Sequence, residues 1–125
     1  MSARLLEGRP IAEQIRARVK AEIEALRGAG VTPKLVAMLA GENPGAQFYA
    51  QAQEKACQEV GIAYQLQRLP AAVSQGELEA AIQRLNADRS VHGILLLMPV
   101  PKGLNGQAAQ AVIDPRKDVD GVSPA

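Results

Sequence analysis

The sequence is poor in the residues that several classes of function require. It has one cysteine, one histidine, no tryptophan, one phenylalanine and two tyrosines in 125 residues. Its 14 basic and 13 acidic residues nearly cancel, and no Lys/Arg cluster accompanies an aromatic platform on which bases could stack. We therefore expect neither nucleic acid nor a membrane as partner. A small, neutral or weakly anionic ligand fits this composition better.

The single cysteine and the short apolar runs bear on the compartment. Cys57 cannot form an internal disulfide, which suits a reducing environment, and its helical neighbours Ala56 and Val60 favour a packed thiol over a nucleophile. The N-terminus has no long apolar region with a cleavage site, and no apolar run approaches the roughly 20 residues of a membrane span. We expect a cytoplasmic protein.

Familiar catalytic and binding motifs are also missing. The sequence contains no GxGxxG, no GxxxxGK[ST], and no Ser-His-Asp or Cys-His arrangement. His92 stands alone, so a structural role is favoured over a catalytic one. Asp118 and Asp120 lie in the loop KDVDG without a His, Cys or third acid at ligand spacing. We expect a solvated turn there and no metal site.

Three stretches are predicted to form strands. Val91–Met98 belongs to the longest apolar run, VHGILLLMPVP, and lacks polar alternation, as does Lys34–Ala40; both patterns are typical of parallel strands covered on two faces. Pro99 and Pro101 end the run because proline has no backbone donor. Ile62–Leu69 alternates apolar and polar residues, which indicates an edge strand. We expect the first and third strands to be adjacent, with Val91–Met98 central.

Helices are predicted before, between and after these strands. The first begins at Pro10 and ends near Gly28, and the second runs from Pro44 to about Val60 with Asn43 as N-cap. Two more follow, one opened by a capping box of Ser74 and Glu77 and a short one at about Gly106–Ile113. The alternation predicts a single α/β domain, a three-layer sandwich with a short parallel sheet flanked by helices.

A ligand crevice is expected where the first and third strands end, because ligands of open parallel sheets bind beyond the carboxyl ends. The MPVP turn could line this crevice or be only a stiff turn. Ala46, Tyr49 and Gln53 are spaced i, i+3, i+7 on one helix face near it. Tyr49 could stack on a flat ring or pack against the sheet.

The stretches GENPGAQFYAQAQEKACQEVGI, GILLLMPVP and KDVDG, with the opening LLEGRPIAEQIRARV, resemble a known family. This is the catalytic domain of bifunctional methylenetetrahydrofolate dehydrogenase/methenyltetrahydrofolate cyclohydrolase. The resemblance implies that residues 1–125 form a folate-cleft domain whose substrate is a tetrahydrofolate derivative. It also implies that NADP binds only to a second, Rossmann-type half, which is absent from these residues. That half or a homodimer is the expected protein partner.

Carried over by position, the resemblance implies that Tyr49 stacks on the folate and that Asp120 hydrogen-bonds the pterin. It implies that the strand end and turn also bind substrate, through Met98, Pro99 and Val100.

The family's catalytic residues are replaced. By the same resemblance its lysine falls on Gln53, the glutamine that orients the lysine falls on Leu97, and a serine falls on Ala46. Lys55 is a poor substitute for the family's lysine. It lies two residues beyond Gln53, which is about 200° further round the helix. Cyclohydrolysis needs a group that moves protons near neutral pH, and losing one typically costs about 10²- to 10⁴-fold in rate.

Three interpretations remain from sequence. The chain is an enzyme domain of one-carbon folate metabolism with impaired or altered activity, a non-catalytic folate-binding or partner-binding module, or a purely structural α/β domain. The family's catalytic residues are replaced by Gln53 and Leu97, and this pair of replacements favours the second interpretation.

Overall fold

The computed structural model describes residues 17–18 and 20–119. Helices and strands alternate along them: α1 (20–28), β1 (Lys34–Ala40), α2 (Pro44–Val60), β2 (Ala63–Leu69), α3 (Gln75–Ala87), β3 (Gly93–Leu96) and α4 (Gly106–Val112). The predicted start of α1 at Pro10 lies outside the described residues, as does Asp120. No helix in the described part of the chain combines the length and apolarity needed to cross a membrane.

The sheet is parallel, with strand order β2-β1-β3. The predictions of parallel pairing, of adjacent first and third strands and of β2 as an edge strand are confirmed. The prediction that the third strand is central is wrong, since β1 takes that position. Beyond β3 the described chain adds one bridge, in which the Ile94 N–H donates to the Lys117 carbonyl oxygen at 2.7 Å.

β3 is shorter than the predicted Val91–Met98 because both ends of that stretch leave the ladder. The Val91 N–H is used in a turn, where it donates to the Asp88 carbonyl oxygen at 3.1 Å. At the other end the Leu97 N–H still donates to Met38 of β1 at 2.9 Å, after which Met98 is 46% exposed. β2 likewise begins one residue after the predicted Ile62.

Helices cover both faces of the sheet, which confirms the three-layer sandwich. One face packs on α2 through a cluster formed by Ala37, Leu39, Ala46, Ala50, Leu95 and Leu97. The other packs on α3 and α4, and its largest fully buried members are Val36, Met38, Leu78, Ile82, Val91, Ile94, Leu96 and Ile113. Alternate residues of β1 and β3 face opposite layers, which explains their unbroken apolar sequences.

Local sequence sets the helix ends. The Asn43 side chain accepts the Ala46 N–H at 2.9 Å with Pro44 in the first turn, and Gly61 ends α2 at φ +90°. At α3 both hydrogen bonds of the predicted Ser74–Glu77 capping box are present. Such caps satisfy donors that a helix start leaves unpaired, so α2 and α3 begin where the sequence predicts.

Candidate ligand site

The carboxyl ends of β1 and β3 and the first turns of α2 enclose an open crevice. A pocket of about 400 Å³ is lined by Gly45, Ala46, Tyr49, Leu95, Leu96, Leu97 and Met98. A second, of about 240 Å³, lies between the β1–α2 turn and Pro99, Val100 and Pro101. The larger volume falls in the range of about 300–1,000 Å³ usual for small-molecule sites. The structure therefore brings Tyr49 and the MPVP turn to one crevice.

Tyr49 forms the α2 wall of this crevice. Its side chain is 57% exposed although it lines the pocket, so it does not serve as a core residue of the α2 layer. Ala46, one turn earlier, is 4% exposed and packs on the sheet. An accessible ring above an apolar floor can stack on a flat ligand.

Leu97 forms part of that apolar floor. It is 3% exposed and belongs to the cluster that includes Ala46 and Ala50. The backbone N–H of Leu97 is already paired with Met38. A buried leucine offers no hydrogen bond to a ligand or to a neighbouring ammonium group. The residue that follows β3 therefore gives the pocket an apolar surface and no polar contact.

Gln53 is held by a residue of β2. Its Oε1 accepts a hydrogen bond from the Tyr64 hydroxyl at 3.1 Å, and Gln53 is not among the residues that line the pocket. Burial raises the pKa of Tyr64 to about 12, and the neighbouring Cys57, Glu54 and Tyr49 add smaller contributions once they are ionised. The phenol therefore stays a neutral donor, and the amide of Gln53 is directed towards β2.

The sequence does not identify Tyr64 as a neighbour of the site. The alternation of Ile62–Leu69 does place Tyr64 and Leu66 on one face of the strand, and both pack against the α2-side cluster. That face meets α2 only after the βαβ unit has folded. The shared face of Tyr64 and Leu66 could be read from the sequence. Nothing in the sequence shows that this face contacts Gln53, which lies 11 positions before Tyr64.

Met98 is positioned by α4. A Cβ on Gly106 would lie 2.9 Å from the Met98 Sδ and closer still to its terminal methyl, so a larger residue there would displace the end of this side chain. The Met98–Pro99 peptide bond is cis. The first residue of α4 thus fixes one edge of the pocket.

The other candidate residues lie apart from the crevice or outside the residues that the structure describes. Lys55 is exposed. The His92 Nδ1 accepts the Lys34 N–H at 3.1 Å, a structural contact. Cys57 is buried, and burial raises the pKa of its thiol. Because Asp120 is not described, its relation to Tyr49 remains a prediction.

The expectation of a solvated turn at KDVDG is corrected at Asp118. This residue is half-buried and bridges β3 at Ile94, with Lys117 and Val119 forming the hydrogen bonds. Pairing with a distant strand, which local turn composition does not reveal, orders this segment.

The start of α2 offers little to a dinucleotide. Pro44 has no N–H, the Ala46 N–H is taken by the Asn43 side chain, and the Gln47 N–H by the Asn43 carbonyl. Of the first three residues of the helix, Gly45 alone keeps a free backbone donor. Pyrophosphate sites use several free donors at a helix start, so these residues do not fit NADP. Within residues 20–119, no three His, Cys, Asp or Glu side chains cluster as metal ligands would.

Comparison with known proteins gives consistent matches. A family model described as the catalytic domain of tetrahydrofolate dehydrogenase/cyclohydrolase matches residues 6–120. The bifunctional protein FolD of Rhodopseudomonas palustris (strain TIE-1) is 47% identical over 125 residues, which are 99% of this chain and 42% of the relative. FolD of Moorella thermoacetica is 44% identical over 125 residues, covering 100% and 45%. The chain spans less than half the length of these curated relatives.

Solved structures agree with the sequence matches. The bifunctional FolD methylenetetrahydrofolate dehydrogenase/cyclohydrolase from Campylobacter jejuni superposes with a TM-score of 0.91 at 36% identity, covering 95% of this chain and 42% of that one. A Trypanosoma brucei FolD, complexed with NADP cofactor and inhibitor, gives a TM-score of 0.79 at 32% identity, covering 89% and 38%.

Proposed function

The chain belongs to the catalytic-domain family of tetrahydrofolate dehydrogenase/cyclohydrolase, and from that premise we propose that it binds a tetrahydrofolate derivative without hydrolysing it. The binding site is the crevice between Tyr49 and the Met98–Val100 turn, with Asp120 as the pterin's hydrogen-bonding partner. The chain as given acts as a folate-binding module of one-carbon metabolism.

One observation carries this proposal: the crevice keeps an accessible aromatic wall while the two family catalytic positions are occupied by groups that cannot transfer protons. Gln53 has no titratable group, and its amide is engaged by Tyr64. Leu97 is sealed in an apolar cluster. Binding of a flat ring needs the wall and floor, whereas hydrolysis of a methenyl amidinium also needs a proton-transfer group near neutral pH.

We further propose that any NADP chemistry requires a separate nucleotide-binding half. The crowded start of α2 supports this, as does the greater length of the relatives. The buried, unpaired Cys57 is consistent with a cytoplasmic location.

Calorimetric titration with a tetrahydrofolate derivative tests the binding site. We expect Tyr49→Ala to raise the dissociation constant roughly tenfold, the usual order for losing an aromatic stacking partner, and Asp120→Ala also to raise it. Phe48→Ala is the matched control, because Phe48 precedes Tyr49, is 74% exposed and does not line the pocket.

If the Tyr49→Ala and Asp120→Ala proteins bind as tightly as the unmodified chain, the ligand site lies elsewhere. Loss of affinity in Phe48→Ala to the same degree as in Tyr49→Ala would indicate damage to α2 in place of a stacking contact.

A further inference from the structure

The side chain of Gln75, at the start of α3, holds the start of α4. Its Oε1 accepts the Asn105 N–H at 2.8 Å, and its Nε2 donates to the Asn105 carbonyl oxygen at 3.1 Å. The same Nε2 also donates to the Glu79 carboxylate at 2.6 Å. Both ends of the amide therefore have partners of the right kind, which fixes its orientation. One side chain of α3 pairs with both backbone groups of the residue that caps α4.

The first residues of α4 connect this contact to the crevice. The Asn105 side chain accepts the Ala108 N–H at 3.0 Å, and the next residue, Gly106, is buried. A Cβ added to Gly106 would lie 3.4 Å from a methyl group of Val100, and nearer still to the Met98 side chain. The backbone at the start of α4 therefore lies directly against the turn whose Met98 side chain lines the pocket.

A second amide of α3 holds the other end of α4. The Asn86 Nδ2 donates to the Val112 carbonyl oxygen at 2.8 Å, and its Oδ1 accepts the Asp114 N–H at 2.9 Å. Val112 is the last residue of α4, about 9 Å along the helix from the first, and it is not among the residues that line the pocket. Gln75 and Asn86 thus make the same kind of contact, but only Gln75 acts at the end of α4 that touches Met98.

We propose that Gln75 is a positioning residue for ligand binding: by holding the start of α4 it fixes Met98, and with it the width of the crevice beside Tyr49. This role rests on the proposed function, because the ligand is the one that the crevice is proposed to bind. Met98 is 46% exposed and has a flexible, unbranched side chain, so it depends on the backbone of α4 for its position. A thioether beside a flat ring is a favourable contact, and α3 preserves it without contributing a residue to the pocket.

Calorimetric titration of two matched variants with tetrahydrofolate tests this role. Gln75→Leu and Asn86→Leu each delete two hydrogen bonds that α3 makes to the backbone at one end of α4, and both introduce the same side chain. We expect both to lower the free energy of unfolding in urea. Only Gln75→Leu should raise the dissociation constant, by about three- to tenfold, the order expected for displacing one sulfur contact from a ring.

The Met98→Ala background shows whether Gln75 acts through this side chain. In a chain that already carries Met98→Ala, Gln75→Leu should change the dissociation constant little further, because the side chain that it positions is gone. The two effects should therefore couple and not add.

The methyl resonance of Met98 gives a readout that needs no ligand. With methyl-labelled methionine, the NMR signal that Met98→Ala removes is assigned to this residue. In the unliganded chain that signal should shift in Gln75→Leu, and also in Gly106→Ala, which displaces the same side chain without removing the hydrogen bonds of Gln75. It should stay in place in Asn86→Leu.

Equal dissociation constants in Gln75→Leu and Asn86→Leu would overturn the role of Gln75, as would a Met98 signal that Gln75→Leu leaves in place. If the unmodified chain binds no tetrahydrofolate, the proposed function is wrong and the effect on affinity falls with it. The Met98 signal then still decides whether Gln75 positions that side chain.

Discussion

At the scale of single residues, the proposal that the crevice binds without catalysis depends on Gln53 and Leu97. Gln53 is directed towards β2 by the Tyr64 hydroxyl, and Leu97 closes the pocket floor with an apolar side chain. Both contacts are satisfied as they stand, with no buried side-chain polar atom left unpaired in the described chain. Both side chains therefore fit their surroundings.

The burial of Tyr64 predicts a loss of stability at alkaline pH. The folded state raises the Tyr64 pKa from the ordinary 10 to about 12, so it favours the neutral phenol. The resulting stability is complete below pH 10 and is lost as pH rises through 12. Urea unfolding from pH 8 to 12 should show the unmodified chain losing more of its free energy of unfolding than Tyr64→Phe, which has no phenol to ionise at this position.

Equal losses in the two proteins across that interval would show that Tyr64 ionises as readily in the folded chain as in the unfolded one. The exposed Tyr49→Phe variant is the matched control, because it removes the chain's other phenol.

Sequence predicted the residues of the crevice better than their contacts. Helical spacing placed Ala46 and Tyr49 on one face, and both line the pocket. The same spacing included Gln53, which the structure turns to β2. Spacing gives the direction of a side chain from its own helix, but the partner comes from the neighbouring strand.

At the scale of elements, the first turns of α2 and α3 fix where these two helices begin. Each begins with a side chain that accepts a backbone N–H of its own first turn, Asn43 in α2 and Ser74 in α3. In α3 the Glu77 carboxylate also accepts a hydrogen bond from the Ser74 N–H at 3.0 Å, which lowers the Glu77 pKa. These contacts span three residues, so they could be predicted from sequence.

Removing the α3 cap should be measurably destabilising. Ser74→Ala deletes the acceptor for the Glu77 N–H, and caps of this kind are typically worth about 1 kcal/mol. We expect the free energy of unfolding in urea to fall by about that amount, with no change in the denaturant slope. Gln83→Ala, exposed in the same helix, is the control. A Ser74→Ala protein as stable as the Gln83→Ala protein would mean that the cap does not hold the helix start.

The elements that sequence described less well depend on distant pairing. The third strand was predicted to be too long, because its apolar run continues through Leu97 while its hydrogen-bonded ladder is limited by the Asp88–Val91 turn and by Pro99. It was also predicted to be central. The bridge from Asp118 to Ile94 joins residues 24 positions apart, and no turn signal in KDVDG indicates it.

At the scale of the whole molecule, the crevice follows from topology. Parallel strands joined by helices bring the ends of β1 and β3 together, and the order β2-β1-β3 leaves one side of α2 over that junction. This much could be predicted from the alternation of elements alone. The chemistry at the junction could not be predicted in this way. It depends on which side chains occupy a few positions, whereas the fold forms the crevice whatever those side chains are.

The most direct test is the rate of methenyltetrahydrofolate hydrolysis. We expect the unmodified chain to match buffer. Gln53→Lys and Leu97→Gln should each do little alone but together regain partial activity. A lysine near the ligand needs a polar residue at position 97, just after β3, to hold it, so the two changes couple. Leu97→Met with Gln53→Lys, which keeps the floor apolar, should stay inactive. Hydrolysis by the unmodified chain clearly above buffer would contradict the account and require another proton-transfer residue.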